Sequence, residues 1–118
     1  MEYKYKKKIS EEERKNQSRI LLMRNPNKIP LILEKDPNSK VKELQKTKFL
    51  IAKDCTVNHF IQMIKGLIQV PEYETLFFAA KGKYSISGTK TMGEIYEYYK
   101  DKDDGFLYIT YSSELFYG

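Results

Sequence analysis

A chain of 118 residues, 41% hydrophobic and 14% aromatic, has the length of one domain and enough apolar surface to bury a core, which excludes an intrinsically disordered protein. Its 21 Lys and Arg against 16 Asp and Glu leave a formal charge of +5. Residues 1–30 carry nine basic side chains against four acidic ones and so hold the whole excess, an end suited to acidic peptides or anionic headgroups. The single cysteine, Cys55, excludes an internal disulfide.

No apolar run approaches the roughly 20 residues of a membrane span. The start "MEYKYKKKIS" has positive charge with no apolar stretch behind it, so it does not read as a secretory signal. The expectation is a cytoplasmic protein that would meet a membrane only through a surface patch or a covalent lipid.

The first strong element is "SEEERKNQSRILLM". Ser10 and Glu13 have capping-box spacing and the first turn is acidic, which predicts a helix running to about Arg24. It stops at "NPN", where Pro26 denies Asn25 a helical backbone. A shorter basic turn is expected over Lys4 to Lys8. Ile20, Leu21 and Met23 do not form a wide stripe, so the helix is expected to pack onto a domain rather than at its centre.

"KIPLILEK", Lys28 to Lys35, is a strand pattern, "DPNSK" supplies turn residues, and "TKFLIAK", Thr47 to Lys53, reads as the antiparallel partner. Pro30 inside the first run implies an irregular, accessible side of the sheet, since proline is confined to strand starts, bulges and edges. In "TVNHFIQMIKGLIQV", Val57, Phe60, Ile61, Ile64, Leu67 and Ile68 recur at three- and four-residue spacing, one face of a helix capped by Thr56. "TLFFAAKG" follows as a buried strand, "KYSISGTK" as a loop and "TMGEIYEYYK" as a helix capped by Thr91. "DKDDG" reads as a turn and "FLYITYS" as a last strand, with Tyr111 at its end and Ser112 to Leu115 as a lead to the terminus.

The order strand, strand, helix, strand, short helix, strand predicts an α+β fold of β-grasp type: a four-stranded mixed sheet with a crossover helix, preceded by N-terminal helices. Residues 1–26 would form the helical extension and 27–118 the ubiquitin-like domain. A ferredoxin-like split is the competing layout, but its second strand should follow a helix.

The chemistry-bearing residues are few. Cys55 and His59 stand one helical turn apart, yet Thr56 as cap leaves Cys55 outside the helix. No third polar group or oxyanion-stabilising turn accompanies the pair, so a structural cysteine is expected. Asp101, Asp103 and Asp104 lack the spacing and closing glutamate of a calcium loop, so a capped turn is expected. No groove-reading motif argues for nucleic acid. Phe49 and Ile51 share one face of their strand and Leu50 takes the other, which fits core and exposed groove equally.

The stretches "NPNKIPLILEK", "TKFLIAKD" with "TVNHF", "LFFAA", "TMGEIYEYYKDKDDGFLYITYS" and the terminal aromatic–Gly occur in order over nearly the whole chain. Together they resemble the autophagy ubiquitin-like modifiers, the family of the GABA-receptor-associated protein and the microtubule-associated-protein light chain. The resemblance implies a modifier that is not itself an enzyme and needs no cofactor or metal. Its C-terminal Gly118 would be exposed by a cysteine protease, activated by an E1-like enzyme and passed to E2-like cysteines. It would then be joined to phosphatidylethanolamine on autophagosomal membranes, with Phe116 and Tyr117 as handles for those enzymes.

The resemblance further implies cargo receptors and machinery carrying aromatic-x-x-aliphatic peptides as partners. It places the aromatic anchor in a pocket of Leu21, Pro30, Ile32, Lys48, Leu50 and Phe106. The aliphatic anchor would enter a second pocket of Phe49, Ile51, Cys55, Phe60, Met63, Ile64 and Leu67, with Lys28, Lys46 and Lys48 as a basic rim. The chain departs from the family's common pattern at Asn25, Ala52, Leu67 and the loop from Lys81 to Lys90. The alternative reading is an unconjugated β-grasp adaptor that binds peptides or tubulin through its basic helices.

Overall fold

The computed structural model describes residues 1–115, with side chains through Ser113. Helices α1 (Lys4–Lys8) and α2 (Glu11–Arg24) lead into a hairpin of β1 (Lys28–Lys35) and β2 (Lys48–Ala52). Helix α3 (Val57–Ile68), β3 (Glu74–Ala80), β4 (Tyr84–Ser85), α4 (Met92–Tyr99) and β5 (Leu107–Leu115) complete the chain. The sheet order is β2-β1-β5-β3-β4, with β1 and β5 parallel at the centre and the other pairs antiparallel. This is the ubiquitin-like β-grasp, α+β, with two helices added in front.

The helix starts follow the sequence closely. Ser10 Oγ accepts from the Glu13 amide at 3.2 Å, Thr56 Oγ1 from His59 at 3.1 Å and Thr91 Oγ1 from Glu94 at 3.1 Å, each satisfying one orphan amide of a first turn.

Three expectations are corrected. The sheet has five strands, not four, because the expected loop after β3 turns tightly and pairs Ala79 with Ser85 and Ala80 with Tyr84; two residues carry no period that a pattern can reveal. The expected lead Ser112 to Leu115 is strand, paired with Glu74 to Phe77 of β3. Pro30 is also buried in an interior strand rather than on an accessible side.

The register explains why that proline is tolerated. Leu33 donates to Thr47 and Lys53 to Asn27 across the hairpin, so the odd-numbered residues of β1 bond to β2 and Pro30 faces the other way. The β5 ladder starts only at Leu31, so no partner needs the amide hydrogen that Pro30 lacks.

The two faces of the sheet carry separate apolar clusters. One packs Leu31, Leu33, Phe49, Ile51, Leu107 and Ile109 against Phe60 and Ile64 of α3. The other is smaller, Ile32, Phe106, Tyr108 and Tyr3, with Tyr5 and Leu21 against it, and lies under the N-terminal helices.

Candidate functional site

The same register exposes one ladder of backbone groups. Among the described residues β2 has β1 as its only neighbour, and because its odd-numbered residues bond inward, the N–H and C=O of Lys48 and Leu50 point to the open edge. An extended peptide can pair with such an edge. The side chain of Leu50 stands opposite Pro30, and that of Lys48 opposite Ile32.

Ile32 and Phe106 form the fully buried floor beside this edge, and Leu21 and Tyr5 lie half-buried over them. The Tyr5 ring meets Phe106 edge-on at 5.4 Å, and its hydroxyl donates to Gln17 Oε1. Lys48 Nζ reaches the same Gln17 oxygen at 3.2 Å and stands 5.9 Å from the Tyr5 ring centroid. Tyr5 and Gln17 therefore belong to this site, although no sequence pattern singled them out. The signal available was the alternation of tyrosine with lysine in "YKYK". Tyr3 and Tyr5 are turned against the sheet, which removes them as stacking platforms for nucleic acid.

The surface beyond β2 is different. Phe49, Ile51, Phe60 and Ile64 come together, but as core closed to solvent. Met63 and Leu67, one turn apart on α3, are 40% and 55% exposed. Cys55 is half-buried where the β2–α3 turn is pinned to α4 by Met92 donating to the Cys55 carbonyl at 2.7 Å and Gly93 to that of Lys53 at 2.9 Å. Burial first, and Asp54 second, push the Cys55 thiol up, and its Sγ bonds the Thr56 carbonyl at 3.4 Å. It has the character of an inert structural thiol.

The basic rim is exposed at Lys28, Lys46 and Lys48. Lys46 Nζ sits 4.8 Å from the Phe49 ring centroid and so partly roofs the second patch.

What holds the N-terminal helices over this floor is a polar network. Asp104, fully buried, accepts from Arg14 Nε at 2.8 Å, from Tyr108 Oη at 2.5 Å and from the Phe106 amide at 2.9 Å. Burial, the largest single influence, would lower the Arg14 pKa, but the Asp104 hydrogen bond together with the charges of Tyr108, Asp104 and Asp101 outweighs it and the net direction is up. Burial and then the Asp104 carboxylate push the Tyr108 phenol far above its ordinary range. Ser18 Oγ donates to the Asp104 carbonyl. Gly105, at φ +82°, allows that approach, since a Cβ there would lie 2.8 Å from Ser18 Oγ.

Helix α1 is held likewise. The amides of Lys4 and Tyr5 donate to the two carboxylate oxygens of buried Glu34 at 2.8 and 2.9 Å. Tyr3 Oη bonds Thr110 Oγ1 at 2.6 Å, and burial raises the Tyr3 pKa to about 12. The expected capped turn is present too: Asp101 Oδ1 accepts from the amides of Asp103 at 2.8 Å and Asp104 at 3.2 Å.

This arrangement, a β-grasp with an open β2 edge and two helices packed across the opposite face, has close relatives. Residues 13–118 match the family model described as "Autophagy protein Atg8 ubiquitin like". The chain belongs to the Atg8 family. It is 32% identical over 114 residues to autophagy-related protein 8h of Arabidopsis thaliana, covering 97% of this chain and 94% of that one. It is 33% identical over 114 residues to autophagy-related protein 8D of Oryza sativa subsp. japonica, covering 97% and 96%. The crystal structure of Trypanosoma brucei ATG8 superposes with a TM-score of 0.89 at 34% identity, over all of both chains.

As an Atg8 protein the chain is a ubiquitin-like autophagy protein, of a family that acts with conjugation machinery and autophagy receptors. Positions expected to depart from the common family pattern have definite places. Asn25 caps α2, its side-chain amide donating to the Leu21 carbonyl at 3.0 Å. Ala52 ends β2, half-buried, and Leu67 adds exposed apolar surface to α3. The expected conjugation residue Gly118 and handles Phe116 and Tyr117 lie outside the described residues.

Proposed function

We propose that this Atg8 protein is a lipid-conjugated modifier that recruits partners through aromatic-x-x-aliphatic peptides. The observation that supports the peptide reading best is the open edge of β2 beside an apolar floor. The peptide backbone would pair with Lys48 and Leu50, and its aromatic anchor would rest on Ile32, Pro30, Phe106, Leu21 and Leu50. Its aliphatic anchor would meet Met63 and Leu67 above the core formed by Phe49, Ile51, Phe60 and Ile64, with Cys55 in the β2–α3 turn. Lys28, Lys46 and Lys48 would draw the acidic residues that flank such peptides.

Conjugation would run through Gly118, freed where necessary by a cysteine protease. With no Cβ, glycine threads a narrow catalytic channel and leaves its carboxyl open to attack through adenylate and thioester states. Phosphatidylethanolamine brings two acyl chains, and at about 0.8 kcal/mol per buried CH₂ a pair gives the durable anchoring that one chain does not. The unconjugated protein would be cytoplasmic and the conjugate autophagosomal.

The two halves are tested separately. Leu50→Ala should weaken an aromatic-x-x-aliphatic peptide by about 1 kcal/mol or more in isothermal titration calorimetry; unchanged affinity would move the site elsewhere. Gly118→Ala should abolish the phosphatidylethanolamine adduct seen as a mobility shift, and continued lipidation would end the conjugation reading.

A further inference from the structure

A cleft of about 780 Å³ opens between α1, the β3–β4 turn and the α4–β5 loop, at the end of the sheet opposite Leu115. Lys6, Lys7, Lys81, Lys83 and Lys102 line it, facing Glu2, Asp101 and Asp103. Lys7 is paired with Glu2 and Lys6 with Asp101. Among the described residues, Lys81, Lys83 and Lys102 have no ion pair, so three cations face the single remaining carboxylate of Asp103.

The turn that presents two of these lysines is fixed. Lys83 donates to the Ala80 carbonyl at 3.0 Å and Lys81 to that of Tyr108 at 2.8 Å. Lys81 and Gly82 both have positive φ, 57° and 71°. Asn or Gly is the usual first residue of such a turn, and a lysine held there is the kind of backbone strain that collects at binding sites. Tyr84, the next residue, also lines the cleft; it is half-exposed and stacks on Tyr99 at 5.3 Å.

These features select a ligand class. The volume falls within the roughly 300–1,000 Å³ of small-molecule sites. The lysines offer rotatable point charges, a recognised way of binding phosphate groups. Concavity suits a small solute rather than a flat bilayer. Leu115 lies about 23 Å along β5 from Tyr108, at about 3.3 Å per residue, so the cleft sits at the pole of the sheet away from Leu115. The geometry points to a site in this cleft for a small soluble polyphosphate of inositol-polyphosphate size, its phosphates held by Lys81, Lys83 and Lys102 and its ring against Tyr84.

The test titrates the full chain with inositol hexakisphosphate at 0.15 M salt by calorimetry, and follows amide shifts by NMR. Saturable one-to-one binding is expected, with shifts concentrated at Lys81 to Tyr84 and Asp101 to Asp103. The Lys81→Gln, Lys83→Gln, Lys102→Gln triple variant should bind at least tenfold more weakly. The Lys40→Gln, Lys42→Gln, Lys90→Gln triple, which removes the same charge from exposed positions outside the cleft, should change affinity less than twofold. Equal loss in both triples, shifts spread over the basic surface, or no binding by the parent chain would overturn the site. Capture by phosphoinositide vesicles without binding of the free polyphosphate would overturn the soluble ligand in favour of a bilayer.

Discussion

The two faces of the sheet are covered by helices held in opposite ways. On one, α3 buries Val57, Phe60, Ile64 and Ile68 against the core. On the other, the buried residues of α2 are Arg14 and Ser18, and the contact depends on Asp104, Gly105 and Glu34. Apolar burial is non-directional and scales with area, so α3 belongs to the cooperative core. A buried ion pair largely cancels its own desolvation cost, so the N-terminal face gains position more than stability. It thereby keeps Leu21, Tyr5 and Gln17 beside an open strand edge.

The largest effect should come from breaking the apolar side. Phe60→Ala removes a fully buried ring that meets Phe78 edge-on at 5.8 Å, and should cost about 4 kcal/mol of global stability in denaturant unfolding. Hydrogen-exchange protection should fall on both faces together. A loss confined to α3 would mean that the faces are not arranged as a core and an appendage.

Asp104→Ala should come next, at about 3 kcal/mol, because Arg14 is left as an uncompensated buried cation. The loss is limited by the free energy of undocking α1 and α2, since the freed arginine can regain water once they lift. Exchange protection should therefore drop in α2 while α3 keeps most of its own, and a uniform drop would erase the contrast.

The smallest effect is a pH response of the polar side. Asp101 is half-buried, which alone would raise its pKa, but Lys6 and the amides of Asp103 and Asp104 bring it below the ordinary 3.8. A depressed folded pKa means stability that is complete above 3.8 and lost as pH falls below it through the folded value. Amide exchange in α1 should therefore rise in acid before that of α3, and Lys6→Gln should flatten part of the response. An unchanged acid profile in that variant would remove Lys6 from the account.

Much of the fold was legible because it is written locally. Ser10, Thr56 and Thr91 announce three helix starts, and the spacing of Phe60, Ile64 and Ile68 gives α3 its buried face. The motifs around Pro30, Phe49 and Gly93 carried the family resemblance. The candidate site was only half legible, since alternation separates Leu50 from Phe49 and Ile51 but says nothing of which face is left open. Tyr5 and Gln17 escaped because a partner 31 residues away, such as Lys48 for Gln17, leaves no period in the chain.

By itself, then, the sequence determined the order of the elements apart from β4, the helix caps, the basic first 30 residues and the family to which the chain belongs. Only the tertiary structure decided that β2 is the open edge, that Phe49, Ile51, Phe60 and Ile64 are closed into the core, and that "DKDDG" holds down a helix 90 residues earlier through Arg14 and Asp104. The physical reason is range. Caps and amphipathic faces are set by neighbours within a turn or two, whereas edges, burial and charge pairing depend on which distant strand or helix comes to lie alongside.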